Sequence, residues 1–280
     1  MRNATRAACI IGFPVRQSRS PKLHAYWIKQ YGVDGAYRME EVRPEDFAAF
    51  IGNLRSNGYV GANVTMPHKD AAFALTEPDD RARAVGASNT LWLDGDRLRS
   101  TNTDVEGFIG GLDERAPGWD RRTDTAIVLG AGGAGRAIVY GFIERGLKTI
   151  HVVNRTRDKA EDLRTRFGSN VHAAGWEDLP RLLKGARLLA NSTSLGMVGK
   201  EPLVIDIAPM GEGAIVGDAV NVPLETPLLA AAKARGFLTT NGLDMLLHQA
   251  VRGFELWFGV WPKVSEEQRQ MLVADILKSS

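Results

Sequence analysis

A glycine-rich segment has the spacing of a phosphate-binding turn. Residues Gly130–Gly135 fit the pattern G-x-G-x-x-G and lie between an apolar run, Thr125–Leu129, and a helical pattern, Arg136–Glu144. In such a setting the glycines allow a tight turn, close approach of the backbone to a pyrophosphate, and close packing of helix against strand. The N–H groups at the helix start then bind the diphosphate. Glycine-rich turns also serve as plain connectors, but the strand–loop–helix setting favours a dinucleotide.

The end of the next strand indicates which dinucleotide is bound. An acidic residue about 20 positions after the glycines would bind the ribose 2′-OH of NAD, and it is missing here. The strand instead ends Val153-Asn154-Arg155-Thr156-Arg157. Arg155 and Arg157 would form a cationic clamp for the 2′-phosphate that distinguishes NADP from NAD. The alternative is that both arginines are solvated residues at a helix start; the position of Asn154–Thr156 at the strand tip favours NADP.

Small polar residues form clusters at the predicted strand ends of the first hundred residues. The clusters are Ser18 and Ser20; Asn63 and Thr65, with Lys69 four residues further; Asn89-Thr90; and Asn102-Thr103-Asp104. Hydroxyls and amides at neighbouring strand ends suit a small polyhydroxylated substrate, because each desolvated hydroxyl needs a partner. A lysine beside an aspartate supplies a proton donor and a charge that tunes it. Structural explanations remain: Ser20 as a helix cap, Asn89 as a turn residue, Lys69 as a solvated charge.

The predicted elements alternate between strands and helices. In the first part of the chain, Ala7–Phe13 and Tyr59–Thr65 read as strands, and Leu91–Leu98 reads as a hairpin turned on Asp94-Gly95. After a Pro/Gly break near residue 117, short apolar runs recur at Thr125–Leu129, Thr149–Val153, Leu188–Ala190 and Ala214–Val216. Such alternation predicts a doubly wound parallel sheet. Two amphipathic helices, Asp244–Phe258 and Glu266–Leu277, are expected to return to the first domain.

Length and composition limit the class of protein. The 280 residues of the chain correspond to roughly two domains, at about 150 residues for a typical domain. The net charge of +2 argues against a nucleic-acid partner, and the apolar stretches are too short for a membrane span. The single cysteine and five scattered histidines predict no metal site. We therefore expect a cytoplasmic protein whose chemistry is organic rather than metallic. These features do not decide between a monomer and a homodimer.

Ordered motifs along nearly the whole chain resemble those of the shikimate dehydrogenase family. They are Pro14 with Ser18–Pro21, Asn63–Lys69, Gly86–Thr90, Asn102–Asp104, Gly130–Gly135, Asn154–Thr156, Asn191–Met197, and Asn241-Gly242 with Met245 and Gln249. Each motif is weak by itself, but the set in this order is highly specific.

The resemblance implies a two-domain α/β fold with the active site in the cleft between the domains. Residues 1–105, completed by helices in 244–280, would form the N-terminal α/β substrate domain. Residues 106–243 would form a Rossmann-type, doubly wound parallel-sheet domain that binds NADP. The implied reaction interconverts 3-dehydroshikimate and shikimate, in the synthesis of aromatic amino acids. The alternatives are a paralogue acting on quinate, aminoshikimate or a related cyclohexene polyol, and a non-catalytic dinucleotide-binding regulatory protein.

The resemblance also implies a role for individual residues. Lys69 and Asp104 would be the catalytic pair. The substrate carboxylate would be held by Ser18 and Ser20, and the ring hydroxyls by Asn63, Thr65, Asn89 and Gln249. The residues implied to bind NADP are Gly130, Ala131, Gly132, Gly133, Ala134, Gly135, Asn154, Arg155, Thr156, Arg157, Thr193, Val220, Gly242 and Met245. Met245 is equally well explained as an ordinary core residue.

Two positions depart from the pattern of the family. Asn221 stands where family members often carry a tyrosine, and Arg19 stands between the two serines where an apolar residue is common. Asn is several ångström shorter than Tyr and brings its own donors and acceptor. We expect Arg19 to face solvent and Asn221 to leave a roomier pocket with weaker binding of shikimate and broader substrate tolerance.

Overall fold

The computed structural model describes residues 6–279, which divide into two compact units. Unit 1 runs to Thr103 and includes Gln249–Ala274. Unit 2 runs over Asp104–His248 and includes the residues from Asp275 onward. Among residues 6–279, no helix combines the length and the apolar character that crossing a membrane would require.

Unit 1 contains a six-stranded mixed sheet. Its strands are β1 (Arg6–Gly12), β2 (Gly35–Glu41), β3 (Tyr59–Val64), β4 (Glu77–Pro78), β5 (Thr90–Asp94) and β6 (Arg97–Thr101). Its helices are α1 (Ser20–Gln30), α2 (Phe47–Gly52), α3 (Lys69–Ala74) and α4 (Asp80–Val85), with a 3-10 turn at Pro44–Asp46. The strand order is β2-β1-β3-β5-β6-β4, with β1 parallel to β2 and β3, and β5 antiparallel to β3. This order places β3 and β5 side by side.

Two local predictions in unit 1 are displaced by one residue. Helix α1 begins at Ser20 itself, Arg19 is the N-cap, and no side chain caps the helix. The structural explanation of Ser20 as a cap is therefore wrong, and its hydroxyl is not used at the helix end. The hairpin turns on Gly95-Asp96 rather than Asp94-Gly95, because Asp94 still pairs with Arg97.

Unit 2 contains a six-stranded sheet in which every pair is parallel. Its strands are β7 (Thr125–Leu129), β8 (Thr149–Val153), β9 (Val171–Ala174), β10 (Leu188–Asn191), β11 (Ile215–Asp218) and β12 (Leu238–Thr240). Its helices are α5 (Asp104–Arg115), α6 (Gly133–Glu144), α7 (Arg157–Phe167), α8 (Leu179–Leu182) and α9 (Pro227–Ala234), with 3-10 turns at Trp119–Arg121 and Trp176–Asp178. Two further helices, α10 (Gly242–Phe258) and α11 (Glu266–Ser279), have residues in both units.

The strand order of unit 2 fixes where a ligand can bind. The order is β12-β11-β10-β7-β8-β9, so the chain reverses direction across the sheet between β7 and β10. Ligands of open parallel sheets bind beyond the carboxyl ends of the strands at such a switch point. Separate buried clusters cover the two faces of this sheet, which explains the uninterrupted apolar runs in the sequence. The predicted Rossmann-type doubly wound sheet is confirmed.

Candidate functional site

A buried network of side-chain hydrogen bonds joins three of the predicted substrate residues of unit 1. Asn63 Nδ2 donates to Thr90 Oγ1 over 3.1 Å. The hydroxyls of Thr90 and Thr103 lie 3.0 Å apart, and the backbone N–H of Thr103 donates to Asn89 Oδ1 over 2.7 Å. Asn89 Nδ2 in turn donates to Gln249 Oε1 over 3.1 Å, across 160 positions of the chain. Residues that are distant in the sequence therefore meet in one cluster.

The pairing of strands in the sheet of unit 1 brings the residues of this cluster together. Asn63 on β3 is paired with Thr90 on β5, and the backbone N–H of Val64 donates to the Asn89 carbonyl over 2.8 Å. Asn63, Asn89, Thr90 and Thr103 are all buried. Buried amides and hydroxyls must be hydrogen-bonded, and here they satisfy one another. Thr90 and Thr103 stand inside the polar clusters of the sequence, but neither was predicted to be a site residue.

Ser18 and Thr65 lie on the loops that follow β1 and β3, and Ser20 is the first residue of α1. The hydroxyl of Ser18 accepts a hydrogen bond from the backbone N–H of Ser20 over 3.3 Å. Ser20 is buried, whereas Ser18 and Thr65 are half-buried. The backbone N–H of Thr65 donates to the Ile11 carbonyl over 2.9 Å, which ties the end of β3 to β1.

The two predicted catalytic residues both begin helices. Lys69 is half-buried and opens α3, and its carbonyl accepts from the backbone N–H of Ser88 over 3.0 Å. Asp104 is buried at the start of α5, where a carboxylate interacts favourably with the helix dipole. Lys69 belongs to unit 1 and Asp104 to unit 2.

Tyr37 also belongs to the network, although its sequence context predicts no site residue there. Its phenol donates to Asn63 Oδ1 over 2.6 Å. A strand residue such as this one gives no periodic signal of function, because an aromatic side chain on a strand is ordinarily a packing residue. Only the pairing of β1 with both β2 and β3 brings Tyr37 close to Asn63.

The glycine turn of unit 2 has the geometry that its sequence pattern predicts. Gly130 has a φ of +99°, a conformation that favours glycine. A Cβ atom on Gly135 would lie 2.3 Å from the Gly130 carbonyl oxygen, so only glycine permits this close packing. A Cβ atom on Gly132 would have no atom within 4 Å. The turn therefore combines two sterically required glycines with open space at the N-terminus of α6, the arrangement that a diphosphate requires.

Asn154 is hydrogen-bonded to the glycine turn, and Arg155 follows Asn154 in the chain. Asn154 Oδ1 accepts from the backbone N–H of Ala131 over 3.2 Å, and its Nδ2 donates to the Thr156 carbonyl over 2.8 Å. Arg155 and Thr156 are exposed. Arg157 lies within 3.9 Å of the carboxylates of both Glu177 and Asp178, so acidic neighbours already compensate its charge. Arg155 is the better placed of the two arginines to receive a phosphate.

The buried carboxylate of Asp218 lies at the end of β11, on the β10 side of the switch point. Asp218 accepts from Asn191 Nδ2 over 2.9 Å, from the backbone N–H of Val220 over 3.0 Å and from the Thr226 hydroxyl over 2.7 Å. Burial raises the pKa of Asp218, and these three donors oppose that rise. The hydroxyl of Thr193 donates to Asn191 Oδ1 over 2.7 Å. Asn191 and Asp218, neither of which we predicted as a site residue, thus hold the turns that carry Thr193 and Val220.

Gly242 and Met245 occupy the first turn of α10. A Cβ atom on Gly242 would lie 2.5 Å from the carbonyl of Val220, so glycine is required there. Met245 is half-buried and packs against the core of unit 2, so its core interpretation is supported. Asn221 is exposed, and its Oδ1 would lie 2.6 Å from the same Cβ atom on Gly242. Arg19, which we expected to face solvent, is half-buried.

Comparisons with known proteins place these units in a family. Residues 10–91 match the model of the shikimate dehydrogenase substrate binding domain, residues 114–204 that of shikimate/quinate 5-dehydrogenase, and residues 242–265 that of the shikimate 5′-dehydrogenase C-terminal domain. The chain is 58% identical over 271 residues to a shikimate dehydrogenase (NADP(+)) of Rhodopseudomonas palustris strain TIE-1, covering 97% of each chain.

Solved structures give the same result. A shikimate 5-dehydrogenase of Thermus thermophilus in complex with NADP(H) and shikimate is similar with a TM-score of 0.84 and 31% identity, covering 97% of this chain and 99% of the other. A quinate dehydrogenase of Corynebacterium glutamicum in complex with NAD is similar with a TM-score of 0.87 and 28% identity, covering 96% and 99%.

Proposed function

The chain belongs to the shikimate dehydrogenase family and is an NADP-dependent oxidoreductase that interconverts 3-dehydroshikimate and shikimate, and we propose that Lys69 and Asp104 are its catalytic residues. The hydrogen-bonded cluster of Asn63, Asn89 and Gln249 carries the proposal for the substrate site. Three amide side chains held in one place by their neighbours are suited to bind a small ring with several hydroxyls.

We assign the proton chemistry to Lys69. Its ammonium group stabilises the negative charge that develops on the substrate oxygen and donates a proton to it as the ketone is reduced. The carboxylate of Asp104 accepts a hydrogen bond from the neighbouring substrate hydroxyl. In the opposite direction Lys69 accepts the proton from the alcohol. The hydroxyls of Ser18 and Ser20 hold the carboxylate, and Thr65 joins the amides in binding the ring hydroxyls.

The cofactor site is proposed at the switch point of unit 2. The backbone N–H groups of Gly132–Gly135 at the start of α6 bind the diphosphate, and Arg155 binds the 2′-phosphate. Asn154, Thr156 and Arg157 border that phosphate, and Thr193, Val220, Gly242 and Met245 border the ribose and nicotinamide end. When bound, NADPH supplies the hydride, and the residues named here orient it.

The domains that follow from these roles are 1–105, completed by 244–280, for the substrate and 106–243 for NADP. We also propose a cytoplasmic location, a monomeric or homodimeric state, and no nucleic-acid partner. The single cysteine and the net charge of +2 support the location and the absence of a nucleic-acid partner.

A steady-state assay of the purified protein tests the function. The rate of oxidation is measured with shikimate and with quinate, each with NADP and with NAD. We expect the highest kcat/KM for shikimate with NADP. Faster turnover of quinate would assign the chain to the other substrate class named among its structural neighbours. No turnover of any cyclohexene or cyclohexane polyol would favour a regulatory protein.

A further inference from the structure

A backbone group fixes the orientation of the Asn89 amide. Its Oδ1 accepts from the backbone N–H of Thr103 over 2.7 Å, and the hydroxyls of Thr103 and Thr90 each lie 3.2 Å from the same oxygen. A backbone N–H can only donate, so turning the amide over would bring its own N–H groups against a donor. The oxygen of Asn89 therefore stays on the Thr103 side, and Nδ2 stays on the opposite side.

Asn89 in turn fixes the amide of Gln249. Its Nδ2 donates to Gln249 Oε1 over 3.1 Å, and both residues belong to unit 1. Because the group that faces Gln249 is a donor, the oxygen of the Gln249 amide must face it. The sequence of donors and acceptors thus runs from the backbone of Thr103 through Asn89 to Gln249. It leaves the Nε2 end of Gln249 on the side away from Asn89.

The Nε2 group of Gln249 is left for a ligand. Gln249 is half-buried on α10, whereas Asn89 and Thr103 are buried. Over residues 6–279, Nε2 has no hydrogen-bond partner and is not among the unpartnered polar atoms that the fold seals from solvent. Two N–H groups of one side chain are therefore accessible beside a buried network whose members bond one another.

We propose that Gln249 selects the substrate by presenting N–H donors, and that Asn89 is the positioning residue that enforces this orientation. Amide N–H groups bind a ring substituent with a lone pair, such as a hydroxyl or carbonyl oxygen. An ammonium substituent has no lone pair, so the donors of Gln249 oppose it. The inference rests on the proposed binding of ring hydroxyls by Gln249 and deepens it, because it excludes an amino group at the ring position that Gln249 contacts.

Gln249→Met tests the donors without a change of charge, because the methionine side chain has a similar length and no N–H group. The ligands are shikimate and the analogues in which each ring hydroxyl in turn is replaced by an amino group, and titration calorimetry gives their dissociation constants. The wild type should bind shikimate at least about tenfold more tightly than one of these analogues. In the variant, shikimate should bind about fivefold to tenfold more weakly, as for the loss of roughly one hydrogen bond, while that analogue should bind no more weakly than before.

Gln30→Met is the matched control, since Gln30 is exposed at the end of α1 in the same unit. Its affinities should equal those of the wild type. Equal weakening of shikimate and of every amino analogue in Gln249→Met would show a merely structural role and would overturn the inference. Unchanged affinity for all of these ligands would overturn it as well.

Asn89→Asp tests the positioning. A carboxylate accepts from Thr103 with one oxygen and offers the other to Gln249, whose amide then turns over, donates Nε2 to the carboxylate and presents Oε1 to the ligand. The preference for shikimate over the amino analogue should fall at least about tenfold. If Asn89→Asp does not fold, Asn89→Ala replaces it: without Nδ2 the Gln249 amide takes either orientation, and the preference should still fall.

A double-mutant cycle shows whether Asn89 acts through Gln249. In the Gln249→Met background there is no amide to turn, so Asn89→Asp should change the preference by less than about twofold. An equal fall in both backgrounds would show that the new charge acts directly on the ligand, and it would overturn the role of Asn89.

The wild-type protein is measured first, which separates this inference from the proposed function. If the wild type neither binds shikimate nor oxidises it with NADP, the proposed function fails. If it does both and the Gln249 and Asn89 variants keep the wild-type preference, the inference alone fails.

Discussion

The candidate ligand sites of the two units are built from different kinds of groups. In unit 1 the candidate site is built from buried side chains that hydrogen-bond one another, from Tyr37 through Asn63 and Thr90 to Asn89 and Gln249. In unit 2 the glycine turn contributes backbone groups and open space, with exposed Arg155 beside it.

The difference follows from what each ligand offers. A small ring with several hydroxyls must be recognised group by group, and each group needs a side chain held in one orientation. A diphosphate is a large diffuse charge that backbone N–H groups and a helix dipole bind without a dedicated side chain for each oxygen. Unit 1 should therefore be sensitive to the loss of single polar atoms, and unit 2 to added bulk and to the loss of charge.

Lys69→Ala should have the largest effect. We expect kcat to fall by roughly 10² to 10⁴, as for the loss of a general acid. The KM for shikimate should change far less, because the loss falls on the transition state. Steady-state kinetics measure both, with Lys29→Ala on the exposed end of α1 as control. A near-normal kcat with a raised KM would reassign Lys69 to simple binding.

Arg155→Ala tests whether Arg155 binds the 2′-phosphate of NADP through its charge or has only a structural role in unit 2. The variant should bind NADP about 1.5–3 kcal/mol more weakly, as for a charge-assisted hydrogen bond, and bind NAD almost as the wild type does. The KM values for both cofactors measure the effect. Arg164→Ala, which removes an exposed arginine paired with Glu161 on helix α7, is the control. Equal losses for NADP and NAD would make Arg155 a structural residue or one that stacks on adenine.

His24→Phe should flatten the pH dependence of stability. The pKa of His24 is lowered from 6.5 to about 3, so below pH 6.5 the unfolded chain takes up a proton that the folded chain does not. This group therefore lowers the free energy of unfolding as the pH falls, by about 1.4 kcal/mol per pH unit, or about 2 kcal/mol at pH 5.

Urea unfolding of the full chain at several pH values between about 7 and 5 measures this loss. The Phe variant should lose stability on acidification less steeply than the wild type, by about that amount. His172→Gln removes an exposed histidine and serves as the control. Parallel curves for His24→Phe and wild type would show that His24 does not cause the loss.

Gly132→Ala tests whether the open space beside Gly132 is needed for binding the cofactor rather than for folding. A methyl group there meets no protein atom within 4 Å, so the variant should fold normally. It should nevertheless raise the KM for NADP at least tenfold, about 1.4 kcal/mol, because the backbone must approach the diphosphate closely. Gly52→Ala, also in open space, is the matched control. An unchanged KM would move the diphosphate away from this glycine.

Asn221→Tyr should have the smallest effect. A phenol at this position should lower the KM for shikimate by the value of about one hydrogen bond, roughly 0.5–1.5 kcal/mol. Asn221→Phe, which adds the ring without the hydroxyl, separates packing from hydrogen bonding. Loss of shikimate activity with retained activity on another polyol would show that shikimate is not the natural substrate.

Local chemistry made much of the fold predictable. The strands β7 and β8 were predicted with the bounds that the structure has, because strands buried on both faces are uninterrupted apolar runs. The glycine turn was equally predictable from the sequence, because the steric demands at Gly130 and Gly135 involve residues that are close in the chain. The start of α1 and the hairpin turn were each displaced by one residue, because several neighbouring polar residues satisfy the same local rule.

The class of the sheet in unit 2, the glycine turn and the family were predictable from the sequence, because these depend on short segments and their order. The tertiary structure alone decided which residues meet. It placed Tyr37 on Asn63, put Gln249 on Asn89 across 160 positions, and made Asn191 and Asp218 the supports of the turns that carry Thr193 and Val220. Such contacts depend on the order in which strands pair in the sheet, and no local periodicity encodes that order.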